Sequence, residues 1–236
     1  MKNIEELRDT HKDKEIWIIG LSPKLDDFPD NFFDDKISIA LNKAFVAFPK
    51  CTYILFSDKR EAQYIVTKAP QLLRKCIFMW PIEAHYRGDR IKAFQGNTKD
   101  LIYMDWKRDQ PSVESVLRKA FEDTIRKIVE GTPCPSISYA TNSHNAVEAA
   151  VILGAKKITL VACEARLINF QYYARKRGLD KVNPAGKFED YSLETQDIMY
   201  RSFRRMRLGL TWLAEILKNY GIEVRSYDYN KGYENI

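Results

Sequence analysis

Thr141-Asn142-Ser143-His144 places four hydrogen-bonding side chains at the head of an Ala-rich run, which leads to the apolar segment ITLVA and then Cys163-Glu164. Such residues make poor core but suit a polar ligand. Their hydroxyls and amides both donate and accept, and a helix N-terminus presents unpaired backbone N–H groups to an anion. A second polar turn, Gly20-Leu21-Ser22-Pro23, follows the apolar stretch IWII. Gly20 permits close backbone approach, and Ser22 with the turn amides can receive a phosphate or ribose oxygen. Asn42 and Asp58 stand at or near the ends of two more apolar stretches. Asn42 offers a donor and an acceptor to a base edge or sugar hydroxyl, and Asp58 accepts from hydroxyls; either can instead cap the helix after it. Together these turns predict one crevice for a phosphate-bearing ligand, bound by Gly20, Leu21, Ser22, Asn42, Asp58, Thr141, Asn142 and Ser143.

Proton transfer has three candidates. His144 lies in the first turn of the Ala-rich helix, His85 in the polar loop EAHYRGDR, and Glu164 after the ITLVAC segment. Histidine titrates near neutrality and suits general acid or base work. Glu164 can hold ribose hydroxyls or move a proton, or it can form a surface pair with Arg166. Arg166, Tyr172, Tyr173 and Arg175 are candidates to neutralise phosphates or stack on a base. Neither a GxGxxG fingerprint nor a Walker lysine is present. Cys51, Cys76, Cys134 and Cys163 are widely spaced without a CxxC pair, and there are three histidines, so no metal site is expected.

The elements that must position these residues read as strands separated by helices. Strands are expected at residues 16–19, 37–41, 53–56, 76–80, 137–140 and 158–162, with 101–105 as a further strand or an edge. Helices are expected over about 59–74, from a cap at Ser112 to Gly131, over about 143–153, and in a long final segment that stops at Gly221 before IEVRSY. Most strands lack strict alternation, which favours a sheet buried on both faces. The fold expected is α/β, a Rossmann-like, doubly wound, mostly parallel sheet with a small helical lid. Residues 1–165 would form the nucleotide-binding core, 166–200 a lid or insertion, and 201–236 a helix and strand completing the core.

Hydrophobic residues make up 45% and charged residues 30%, which describes an ordinary globular chain and argues against disorder. No apolar run approaches the roughly 20 residues of a membrane span, and the first residues lack the apolar stretch of a signal peptide. No transmembrane segment is therefore expected, and the location read is cytoplasmic. The net charge of +6 suits an anionic ligand, but it gathers in ARKRG and RSFRRMR, which read as solvated faces. Nucleic acid is not the expected partner.

The order of these signals resembles the GT42-type bacterial sialyltransferases and their relatives: the DUF115 group, motility accessory factors and archaeal pterin pyrophosphokinases. IIGLSPKL at 18–25 is similar to the family's strand and GxGPSL turn. ISIALNKAF at 37–45 is similar to its strand ending in Asn, and YILFSD at 53–58 to its strand ending near Asp. ATNSHNAVEAAVILGAKKITLVACE at 140–164 resembles the later T-S-G, Ala-rich helix and G-x-D signature, with Ala162 and Glu164 replacing Gly and Asp. The resemblance covers residues 16–164 and implies nucleotide contacts from Gly20, Ser22, Asn42, Asn142 and Ser143. The family's lid histidine has no counterpart, since residues 165–236 contain no histidine. His144, His85, Glu164 or Asp190 would take its place, or the reaction differs.

The function expected is a transferase using a nucleotide-activated sugar, with a glycan or other hydroxyl acceptor and no cofactor. Two alternatives stay open: a pyrophosphokinase-like phosphoryl transferase, the one case in which Mg2+ is implied, and a non-catalytic nucleotide sensor. A homo-oligomer is compatible with either.

Overall fold

Runs of apolar residues with little alternation become strands covered on both sides. The computed structural model describes residues 1–81, 92–94, 98–107, 114–137, 141–164, 174, 179, 192–234 and 236. Among the described residues ten strands form one sheet: β1 (Lys2–Asn3), β2 (Glu15–Ile19), β3 (Ser38–Leu41), β4 (Tyr53–Phe56), β5 (Cys76–Pro81), β6 (Ile102–Lys107), β7 (Ser136–Ile137), β8 (Lys157–Val161), β9 (Glu223–Asp228) and β10 (Gly232–Glu234). Their order is β1-β6-β5-β4-β3-β2-β8-β9-β10, with β7 also against β6. Every pairing is parallel except β9–β10. The architecture is a mostly parallel α/β sheet.

The two faces carry separate cores, divided by the two-residue period of a strand. Ile16 and Ile18 face a core that also holds residues of α2 (Glu114–Val129), α3 (Asn142–Ile152) and α4 (Leu193–Lys218). Trp17 and Ile19 face the other, with Ala62 and Ile65 of α1 (Lys59–Lys68) and the phenylalanines of the segment 28–48. In α3 every residue from Ser143 to Ile152 is buried. A helix covered all round is a core helix, and its alanines let the sheet, α2 and α4 approach closely.

Two expectations change. The helix read over 59–74 stops at Lys68: Ala69 precedes Pro70, has left helical backbone at φ −148° and ψ 50°, and is followed by a tighter turn, Pro70–Lys75. The segment read as a further strand or an edge is the further strand: β6 is interior, because β1 lies outside it. β10 was not expected at all. The predicted cap Ser112, residues 138–140 and nearly all of the 166–200 insertion lie outside the described residues. Among the described residues, no helix is long and apolar enough to cross a membrane.

Candidate functional site

The chain lays β2 to β6 outward in one direction, then returns to place β8 on the other side of β2. At such a reversal the loops leaving the two neighbouring strands diverge, and a crevice opens at their carboxyl ends. Ile19 pairs with Val161 and with Ala40, so the ends of β2, β8 and β3 lie level. Gly20 donates to the Val161 carbonyl at 2.8 Å, and Ser22 N–H to the Ala162 carbonyl at 3.2 Å. A Cβ on Gly20 would stand 2.1 Å from the Ala162 oxygen, so no side chain fits there.

Two backbone positions beside that junction are left-handed: Asn42 at φ 50° and Ala162 at φ 54°. Asparagine tolerates this region; alanine costs about 1–2 kcal/mol there. Across from them α3 begins. Thr141 caps it, accepting from Ser143 N–H at 3.3 Å, and the Asn142 amide donates to Asn42 Oδ1 at 2.5 Å. No acidic residue occupies the first turn of α3. The positive end of its dipole therefore faces the crevice uncompensated by its own helix.

Gly20, Leu21, Ser22, Asn42, Thr141, Asn142 and Ser143 all line one cavity of about 70 Å³, with Leu41, Ala162, Cys163 and Met206. That is room for several waters or a phosphate-sized group. Burial pushes the Cys163 thiol up to about 12, so it serves there as a small apolar side chain. Glu164 stands just behind this wall. It accepts from the Ser22 hydroxyl and lies 3.7 Å from Lys24, which pairs with Asp228 at 2.6 Å. Burial opposes ionisation of Asp228, but the hydrogen bond and charge of Lys24 hold its carboxyl below the ordinary range.

Other candidates sit elsewhere. Asp58 caps α1, accepting from Arg60 N–H at 2.8 Å and pairing with its guanidinium, and it is not part of the cavity lining. His144 is 0% exposed. Its Nε2 lies 3.0 Å from the Met206 carbonyl, which can only accept, so that nitrogen carries the proton. The ring meets Phe121 edge-on and packs against Gly209, placing His144 in the core between α2 and α4. His85, Arg166, Tyr172, Tyr173, Arg175 and Asp190 lie outside the described residues. Among the described residues no group of His, Cys, Asp and Glu could hold a metal ion.

Sequence reasoning missed Met206, Lys24 and Asp228. Asp228 could have been found only from its place at the end of a strand, since Glu223–Asp228 is mostly polar, whereas Asn42 follows the apolar run Ser38–Leu41. Met206 could not, because helix phase does not say which residue of a buried stripe reaches a cavity. Fold and site together define an α/β protein with a polar cleft at the reversal of its sheet. No protein-family model matches the chain, and neither does any curated protein or solved structure.

Proposed function

We propose that this protein is a nucleotide-dependent transferase that moves a sugar from a nucleotide-activated donor to a hydroxyl acceptor, on a Rossmann-like, doubly wound fold of the sialyltransferase-like kind. The observation that carries the reading is the cleft at the β2–β8 reversal. It is lined by uncharged hydrogen-bonding groups and headed by the N-terminus of α3, a combination suited to a phosphate and the hydroxyls beside it. The Asn42–Asn142 pair would read the nucleoside side, and Ser143 and the α3 amides the phosphate. In the transfer the acceptor oxygen bonds to the anomeric carbon while the sugar–phosphate C–O bond breaks. Its electron pair leaves on the nucleotide phosphate, facing the α3 amides, and the acceptor proton passes to the Glu164 carboxylate. His144 takes no part, being sealed in the core.

Calorimetric titration with CMP, UDP, GDP and their sugar conjugates tests this. At least one nucleotide should bind, and Asn142→Ala should weaken it about tenfold, the worth of one good hydrogen bond. Asp58→Asn, which keeps the α1 cap, should bind as the natural chain does. Absence of affinity for every nucleotide in the series would overturn the reading.

A further inference from the structure

Among the described residues the cleft lining holds no histidine, aspartate or glutamate, and burial keeps the Cys163 thiol protonated. Transfer to a hydroxyl still needs a group that takes the hydroxyl's proton. Glu164 does not line the cleft. It lines a larger cavity of about 370 Å³ on the far side of the same wall, with Lys24, Arg207 and Asp228. On α4, Met206 faces the cleft and the next residue, Arg207, faces the larger cavity. Ser22 lines the cleft and not the larger cavity, and its hydroxyl donates to Glu164 Oε2. Among the described residues it is the side chain that joins the cleft to a carboxylate.

The hydrogen bonds of the β2 turn fix what Ser22 can offer. A serine hydroxyl has one proton and two lone pairs. That proton goes to Glu164, the Ser22 N–H to the Ala162 carbonyl at 3.2 Å, and the Gly20 N–H to the Val161 carbonyl at 2.8 Å. All three are committed within the wall. Ser22 therefore presents lone pairs to the cleft, which repel a phosphate oxygen and attract an O–H donor. The opposite wall has the reverse character, because the first turn of α3 brings the positive end of its dipole with no acidic residue in it. A donor whose phosphate sits at α3 leaves the Ser22 side to the incoming hydroxyl. Lys24, 2.6 Å from Asp228, lies 3.7 Å from Glu164 Oε1, so the carboxylate is held from both of its oxygens.

We infer that Ser22 is a catalytic residue, which takes the acceptor's proton on Oγ and passes its own to Glu164 Oε2. The inference rests on the transferase reading of the cleft. As the acceptor oxygen bonds to the anomeric carbon, its proton moves to a Ser22 lone pair and the Ser22 proton moves to Glu164. The sugar–phosphate C–O bond breaks, and its electron pair leaves on the nucleotide. Ser22 ends as neutral as it began. Glu164, now protonated, releases the proton to water through the larger cavity, where Arg207 is exposed. The acceptor hydroxyl and the anomeric carbon thus share one space, and only the proton crosses the wall.

Nucleotide release from CMP-, UDP- and GDP-sugars by the full chain tests this, with water and a mixture of mono- and disaccharides as acceptors. Ser22→Ala should slow release about 100-fold, the ordinary worth of a general base, and leave nucleotide titration unchanged. Ser22→Thr, which keeps a hydroxyl, should recover most of the rate. Glu164→Gln should lose as much as Ser22→Ala, and the double variant no more than either, because two groups in one relay fail together. Three results would overturn the relay and leave the transferase reading standing: release by Ser22→Ala at the natural rate, two losses that multiply in the double variant, or a nucleotide affinity that falls as far as the rate. Ser22→Thr as slow as Ser22→Ala would do the same. No release from any conjugate by the natural chain would overturn the transferase reading, and the relay with it.

Discussion

Glu148 is a fully buried carboxyl on α3, about one turn beyond the residues that line the cleft. The Asn145 amide donates to Ser136 Oγ at 2.5 Å, and that hydroxyl donates to Glu148. No cation pairs with it among the described residues. Burial pushes its pKa from 4.5 up to about 8, against the pull of the Ser136 hydroxyl. A carboxyl whose folded value is raised stabilises the fold fully below its unfolded value and loses that contribution as pH rises through the folded one. Stability should therefore fall between pH 4.5 and pH 8, by roughly 3–5 kcal/mol from this group. Glu148→Gln imitates the protonated form. Urea midpoints should match the natural chain near pH 4.5 and exceed it by most of that amount at pH 8; parallel curves for the two proteins would show that Glu148 ionises freely in the fold.

At the scale of elements, the contact between α3 and α4 rests on a glycine inside a long helix. A Cβ on Gly209 would lie 2.7 Å from two ring atoms of His144. Helix propensity alone says that Gly209→Ala should stabilise α4 by about 0.5–1 kcal/mol. Overpacking against the ring costs about 1–3 kcal/mol, so the contact should win and the substitution should destabilise. In a His144→Ala background the obstruction is gone and the same change should turn stabilising, a reversal that a double-mutant cycle in urea reads directly. Additivity of the two would refute the contact. The same pair shows where sequence stops informing. Gly20, Ser22, Asn42 and Asn142 were legible because each is a polar or small residue set at the end of an apolar run, and strand ends in parallel sheets share one edge. His144 stands among them in sequence, but the helical turn of about 100° per residue carries its side chain away from the cleft and into α4. That outcome depends on Gly209, 65 residues later, and no local pattern links the two. β10, three residues long and held by β9, likewise has too little pattern of its own to announce itself.

For the whole molecule, the strand reversal that opens the cleft also decides how much of the chain must be present to fold. Residues 1–165 contain every described residue of the cleft lining except Met206. Yet β8 would then be an edge, with its pairing to β9 from Lys157 to Leu160 lost. The core under α3 would lose Leu210, Trp212, Leu213, Ile216 and Leu217, all buried. At about 1.5–3 kcal/mol for each side chain, their burial contributes on the order of 10 kcal/mol, comparable with the roughly 5–15 kcal/mol net stability of an entire domain. Residues 1–165 alone should accordingly show no cooperative thermal transition and no nucleotide affinity, while the full chain melts as one unit. A soluble fragment with a sharp transition and a working cleft would mean that α4 and β9 only decorate a sheet already complete without them. The position of Met206 in the cleft and Arg207 in its larger neighbour argues otherwise, because one turn of α4 closes both cavities and cannot be removed from either without opening the core behind them.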